Sequence, residues 1–198
     1  MRVELCGGIA SGKTTLATAL KERFLYCDAV LEDVFFNGFL PDFYCDPPYY
    51  AYETEIFFLL QHMHQIKVRQ RQGIPLVCDF SLEQDYAYGE NNLIGDELSS
   101  FREIYQVTMS QLQTPELLIF LDCPVDILLR RITARGRTSE RTINTDYLRT
   151  TIAQLKRRLK DTGREIVVID SHRYDFRKDE DISYLLSGPL HMCSRIFV

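Results

Sequence analysis

The chain has 198 residues, 45% of them hydrophobic, enough for one compact domain (residues 1–198) with a substantial core. Its formal net charge of −5 sets it apart from general binders of nucleic-acid polymers and of membrane surfaces, which carry a basic excess. No apolar run approaches the ~20 residues of a membrane span, and no secretory leader is visible, so a cytoplasmic protein is expected.

Short apolar strands alternate with longer helical patterns, which predicts a parallel sheet covered by helices. Residues 2–6 read as a first strand, followed by a glycine-rich loop and a helix over about 12–24. Residues 29–31 make a weak second strand. A long helix is expected from the Pro47-Pro48 pair towards Gln72, because proline is tolerated in a first turn, and Gly73 stops it. Strands follow at 74–78 and 117–121, then a helix after Pro124, a helix over 145–161 and a last strand at 165–169. The C-terminal part is helical in composition but weakly patterned, and Pro189 and the tail 191–198 leave its end open. The six cysteines are scattered without a Cys-x-x-Cys pair; Cys6, Cys78 and Cys123 fall in strand-like runs, as small core residues of a reducing compartment do.

The strongest local signal is Gly7-Gly8-Ile9-Ala10-Ser11-Gly12-Lys13-Thr14, a complete G-x-x-x-x-G-K-[ST] motif set between a strand and a helix. The glycines let backbone N–H groups converge on phosphate oxygens at the positive end of a helix dipole. Lys13 is expected at the β- and γ-phosphates of ATP, with the Thr14 hydroxyl on Mg²⁺ and Thr15 beside it. The motif says nothing about the acceptor. An Asn-Lys-x-Asp guanine motif of switch GTPases is absent. Late in the chain, Arg130, Arg131, Arg135, Arg137 and Arg141 cluster around the single acid Glu140, which suits a small polyanion, although a solvated helix face is the plainer alternative.

Beyond the loop, five further blocks stand in order: Leu31-Glu32-Asp33; Asp42 to Pro47 leading into Tyr50–Leu59; Asp79-Phe80-Ser81 with Asp85; Leu121-Asp122-Cys123-Pro124; and Arg131 to Arg137 with Glu140. Together they resemble the deoxynucleoside kinase family, especially the bacterial purine branch of deoxyguanosine and deoxyadenosine kinases. The resemblance runs from Val3 to about Leu148. It implies an α/β P-loop three-layer sandwich: a parallel five-stranded sheet with helices on both faces and an arginine-rich lid at about 133–143. It also implies a homodimer and ATP-dependent transfer to the 5′-hydroxyl of a small deoxynucleoside.

Glu32 follows a strand at the carboxyl edge of the sheet, where open α/β folds bind ligands; the resemblance makes it the general base. Asp79 ends the third strand, the place of a second acid that holds Mg²⁺ through water. Relatives commonly read acid-Arg-Ser there, but this chain has Phe80, so either another arginine substitutes or turnover is modest. Arg131, Arg135 and Arg137 match the lid, and Arg131 and Arg135 lie one helical turn apart. Tyr44 and Glu140 match the pair at the sugar 3′-hydroxyl, with a core aromatic and a solvated charge as the plain alternatives.

In the base pocket, Glu55 stands where most relatives have glutamine, and His62, two turns on, shares its helix face. A carboxylate offers only acceptors, whereas guanine presents two adjacent donors, so an ionised Glu55 favours guanine; a protonated one mimics glutamine. His62 with its acidic partner Asp85 is expected at the other purine edge. Two other readings compete: a thymidylate-type nucleotide kinase, disfavoured because residues 29–52 contain no Lys or Arg, and a non-catalytic ATP sensor, disfavoured because Glu32, Asp79 and the arginines are all present.

Overall fold

β1 (Arg2–Gly7) sends alternate side chains to opposite faces, as a strand must. Val3 and Leu5 enter a core with Leu16 and Leu20, while Cys6 packs with Leu118 and Phe120 on the other side. The remaining strands are β2 (Asp28–Val30), β3 (Leu76–Cys78), β4 (Leu117–Asp122) and β5 (Ile166–Asp170). In this computed structural model, which describes residues 1–197, all five pair in parallel in the order β2-β3-β1-β4-β5. The chain leaves β1 for one side of the sheet and later returns to the other, which opens a crevice at the carboxyl ends of the strands, beside β1.

Helices cover both faces. α1 (Lys13–Arg23) packs on one face with α8 (Asp179–Ser187) and α9 (His191–Ile196), through Leu16, Leu20, Ile182, Leu185, Cys193 and Ile196. The weakly patterned tail is therefore helical and core-forming, and Phe197 meets Phe24 with ring centroids 5.3 Å apart. Val198 lies outside the described residues. The other face carries α3 (Pro47–Gln70), α4 (Leu82–Asn92), α5 (Gly95–Ser110) and α7 (Thr145–Asp161). α4 and α5 occupy a stretch in which no element was expected from the sequence. Ser81 caps α4 by accepting from the Gln84 N–H, and Gly89 lets Phe101 of α5 approach so closely that a Cβ there meets the ring at 2.3 Å. A short α2 (Leu40–Cys45) precedes α3, whose first turn holds Pro47 and Pro48.

α6 (Val125–Arg135) ends at Gly136, which adopts φ +68° and terminates the helix as glycine readily does. A 3-10 turn (Thr138–Thr142) follows and packs on α2, where Thr142 Oγ1 donates to the Tyr44 carbonyl at 2.8 Å. Residues 34–36 form another 3-10 turn, capped by Asp33. There the ring of Phe35 lies 5.8 Å from the Arg137 guanidinium. All six cysteines are free, and Cys45 alone of them is exposed. No helix among the described residues is long and apolar enough to cross a membrane.

Candidate active site

A cavity of about 580 Å³ opens at the carboxyl edge of the sheet. The glycine-rich loop forms one wall, running from β1 into α1. Gly7 has no room for a side chain, since a Cβ would sit 2.7 Å from the Leu121 carbonyl, and Gly12 adopts φ +105° against the Phe176 ring. Ala10 holds the single positive φ, +64°, of any non-glycine among the described residues. Lys13 Nζ donates to the Gly7 and Gly8 carbonyls at 2.9 and 3.2 Å, so its charge lies over the loop. Desolvation lowers its pKa, against the opposing charges of Glu32 and Asp79.

Asp79 ties three elements together. Its carboxylate accepts from Thr14 Oγ1 and from the Glu32 N–H, both at 2.6 Å, and its own N–H donates to the Val30 carbonyl. Burial raises its pKa, and those two donors oppose the rise. A hydroxyl and a carboxylate held side by side below the phosphate loop are hard oxygen donors of the kind Mg²⁺ takes when phosphates and water complete its shell.

Glu32 lies beyond β2, a quarter exposed at its side chain, and faces the cavity. Burial pushes its pKa up, but His62, then Lys13 and Arg137, outweigh that and hold it below the usual glutamate value. His62 itself is not part of the cavity wall. It is 1% exposed, its Nδ1 is 2.8 Å from Asp85 Oδ2, and its Nε2 is 3.3 Å from Glu32 Oε1. Its ring lies on Phe80, centroids 3.7 Å apart and 7° from parallel. Where relatives carry an arginine beside this acid, the chain thus has Phe80 with the His62 ring stacked on it and turned towards Glu32.

The far end of the cavity is aromatic and acidic. Glu55, 4% exposed on α3, accepts from Asn92 Nδ2 at 2.7 Å, and Asn92 also reaches Tyr147. Desolvation pushes the Glu55 carboxyl up to about 8, with Asn92 and His62 opposing and Asp85 and Glu32 adding to it. Phe43, Tyr44, Phe58, Gln84, Asp85, Tyr88 and Tyr147 complete the wall. Glu140 is buried and held by Arg135, with Nε and Nη2 at 3.1 and 2.5 Å from Oε2, and by Arg137 Nη1 at 3.2 Å. Arg131 lines the cavity beside the phosphate loop, where it donates to the Ala10, Ser11 and Ser171 carbonyls. Arg130 pairs with Asp126 in solvent, and Arg141 is exposed.

A cavity with a phosphate loop at one end, a carboxylate midway and an acidic, aromatic pocket at the other fits a nucleoside and a triphosphate laid end to end. The family model for deoxynucleoside kinases matches residues 3–186. The chain belongs to the deoxynucleoside kinase family. It is a phosphotransferase, and its relatives carry both purine names. Deoxyguanosine kinase of Bacillus subtilis is 29% identical over 86% of this chain and 86% of that protein. Deoxyguanosine kinase of Lactobacillus acidophilus is 30% identical over 90% of this chain and 84% of that protein, and deoxyadenosine kinase of Dictyostelium discoideum is 29% identical over 94% and 78%. The fold matches that of M. mycoides deoxyadenosine kinase with dCMP and dCDP bound, at a TM-score of 0.81 and 19% identity over 94% of this chain and 97% of that one.

Sequence reasoning missed Gln84, whose Oε1 accepts from the Gly7 N–H at 3.0 Å, and Asn92, which fixes Glu55. The signal was present: Asp85, Tyr88 and Asn92 follow one another at helical spacings of three and four, once residues 82–92 are read as a helix.

Proposed function

We propose that this kinase transfers the γ-phosphoryl group of ATP to the 5′-hydroxyl of a purine deoxynucleoside, with deoxyguanosine favoured and deoxyadenosine second. The observation that carries the reading is the placement of Glu55 and Glu32 in one cavity with the phosphate loop. The nucleoside base lies against Glu55, its sugar between Tyr44 and Glu140, and its 5′ end at Glu32. Tyr44 under the ribose leaves little room for a 2′-hydroxyl.

Residues 7–15 cradle the triphosphate, and Lys13 leaves the Gly7 and Gly8 carbonyls for its oxygens. Thr14 and Asp79 are the residues that would hold Mg²⁺, and the ion would supply positive charge to the phosphate oxygens. Glu32, kept ionised by His62, Lys13 and Arg137, accepts the 5′-hydroxyl proton as the oxygen attacks phosphorus in line and ADP departs. Arg135 and Arg137, in a lid spanning about 133–143, exchange part of their hold on Glu140 for the transferring phosphoryl group, while Arg131 keeps the loop carbonyls in place. The whole chain acts as one domain. Leu60 and Val68, eight residues apart on α3, and Val107 on α5 stay exposed, apolar side chains that a second copy of the chain would cover. The free cysteines suit a reducing compartment such as the cytoplasm.

Comparing Glu32→Gln with the parent enzyme, with monophosphate formation followed chromatographically, tests the chemistry. A kcat loss of about 10²-fold or more with nucleoside KM held is expected of a lost base; an unchanged kcat removes Glu32 from the mechanism.

A further inference from the structure

His62 is a buried titratable side chain that neither the phosphate loop nor the base pocket uses. Its ring is held from three directions by different elements. The Phe80 ring beyond β3 fixes its plane, Asp85 on α4 fixes its rotation through Nδ1, and Nε2 is left facing Glu32 beyond β2. A neutral imidazole has one N–H and serves one acceptor. Two facing carboxylates select the imidazolium, with a proton on each nitrogen, and they raise its pKa to about 10 although burial opposes this. Glu32 is held far less firmly. It sits between exposed Leu31 and Asp33, and its carboxylate makes no hydrogen bond among the described residues. The 3.3 Å contact with Nε2 misses hydrogen-bond alignment, and it is that carboxylate's one contact with a basic group within 4 Å among the described residues.

We propose that His62 is a positioning residue for phosphoryl transfer: braced by Phe80 and Asp85, its imidazolium holds the Glu32 carboxylate in register with the acceptor hydroxyl. The inference rests on the reading of Glu32 as the base. An atom misplaced by about 1 Å costs reactions of this kind on the order of 10²-fold, so a free-swinging carboxylate loses turnover without losing substrate. The role also differs in its consequences from contact with the purine edge. A residue that touches the base discriminates between bases, whereas one that holds Glu32 affects every acceptor alike.

The test compares His62→Gln, Phe80→Leu and Glu32→Gln with the parent, using deoxyguanosine and deoxyadenosine. His62→Gln is expected to lower kcat by about 10- to 100-fold for both nucleosides, with each KM within about threefold of the parent value. Phe80→Leu, which removes only the stack, is expected to lower kcat by a smaller factor with the same pattern. A KM or base-preference change at intact kcat would place His62 in base recognition and overturn the proposal, as would full activity in His62→Gln. Loss of activity in Glu32→Gln beside an unaffected His62→Gln sinks the positioning role alone; parent-like kcat in Glu32→Gln sinks the base assignment and this role with it. Should His62→Gln not fold, histidine ¹⁵N resonances of the parent and Glu32→Gln proteins decide the matter. The His62 pKa is expected to fall by about one unit once its partner is neutral, and no change refutes the contact.

Discussion

Glu55 gives the account its sharpest quantitative consequence. Its carboxyl titrates near 8, so at pH 7 about one molecule in ten carries the carboxylate, against about three in four at pH 8.5. Ionising it at pH 7 costs about 1.4 kcal/mol, while a charge-assisted pair of hydrogen bonds to guanine discriminates by about 1–3 kcal/mol. The lead of deoxyguanosine over deoxyadenosine is therefore small at pH 7 and grows with pH. Because deoxyguanosine takes the carboxylate and deoxyadenosine the protonated, glutamine-like form, the ratio of their kcat/KM values is expected to follow the ionised-to-protonated ratio and to rise about 30-fold between pH 7 and 8.5. Taking the ratio cancels the titrations of Glu32, Lys13 and the phosphates, which both substrates share. Deoxyguanosine binding at pH 7 should also release close to one proton, read by calorimetry in buffers of different ionisation enthalpy. In Glu55→Gln the ratio is expected to favour deoxyadenosine and to be flat with pH. A ratio that is flat in the parent enzyme, or equally steep in Glu55→Gln, refutes the reasoning. The same shift has a stability consequence of definite sign. The folded state holds an extra proton between pH 4.5 and about 8, so Glu55 penalises folding increasingly as pH rises through that window.

Other consequences are simpler. Arg135→Ala, which leaves the buried Glu140 to Arg137 alone, is expected to lower kcat by about 10³-fold in steady-state assays, with nucleoside KM moving far less. Arg2 and Glu4 form a buried ion pair at 2.8 Å on β1, and burial raises the Glu4 pKa. Arg2→Met should cost about 3–5 kcal/mol in urea unfolding, and adding Glu4→Leu should restore most of it. Phe197→Ala, at the end of the core-forming tail, should cost about 3–5 kcal/mol while leaving kcat per folded molecule unchanged.

The sheet and most of its helices were legible because their signals are local. A phosphate loop between a strand and a helix, a proline pair at a helix start and apolar runs of strand length need no tertiary context. α4 and α5 were not legible, because residues 82–110 mix tyrosines, acids and small residues and their buried faces exist only against α3 and α7. The site was legible to the same extent. The family blocks picked out Tyr44, Glu55 and Glu140, and all three line the cavity. His62 shares the helix face of Glu55, but spacing along one helix says nothing of depth, and the ring of Phe80 covers it from another element. Arg131, one turn from Arg135, was expected at the phosphates; in the fold it reaches the loop carbonyls first.

The central claim is phosphorylation of a purine deoxynucleoside at its 5′-hydroxyl, and initial rates test it most directly. Purified enzyme with ATP and Mg²⁺ is offered each of the four deoxynucleosides and their 5′-monophosphates at pH 8, with products resolved by chromatography. The account predicts deoxynucleoside 5′-monophosphate and ADP, with deoxyguanosine giving the highest kcat/KM, deoxyadenosine next, and no turnover of the monophosphates. A pyrimidine lead contradicts the role given to Glu55, and turnover of monophosphates alone contradicts the acceptor and the role of Glu32.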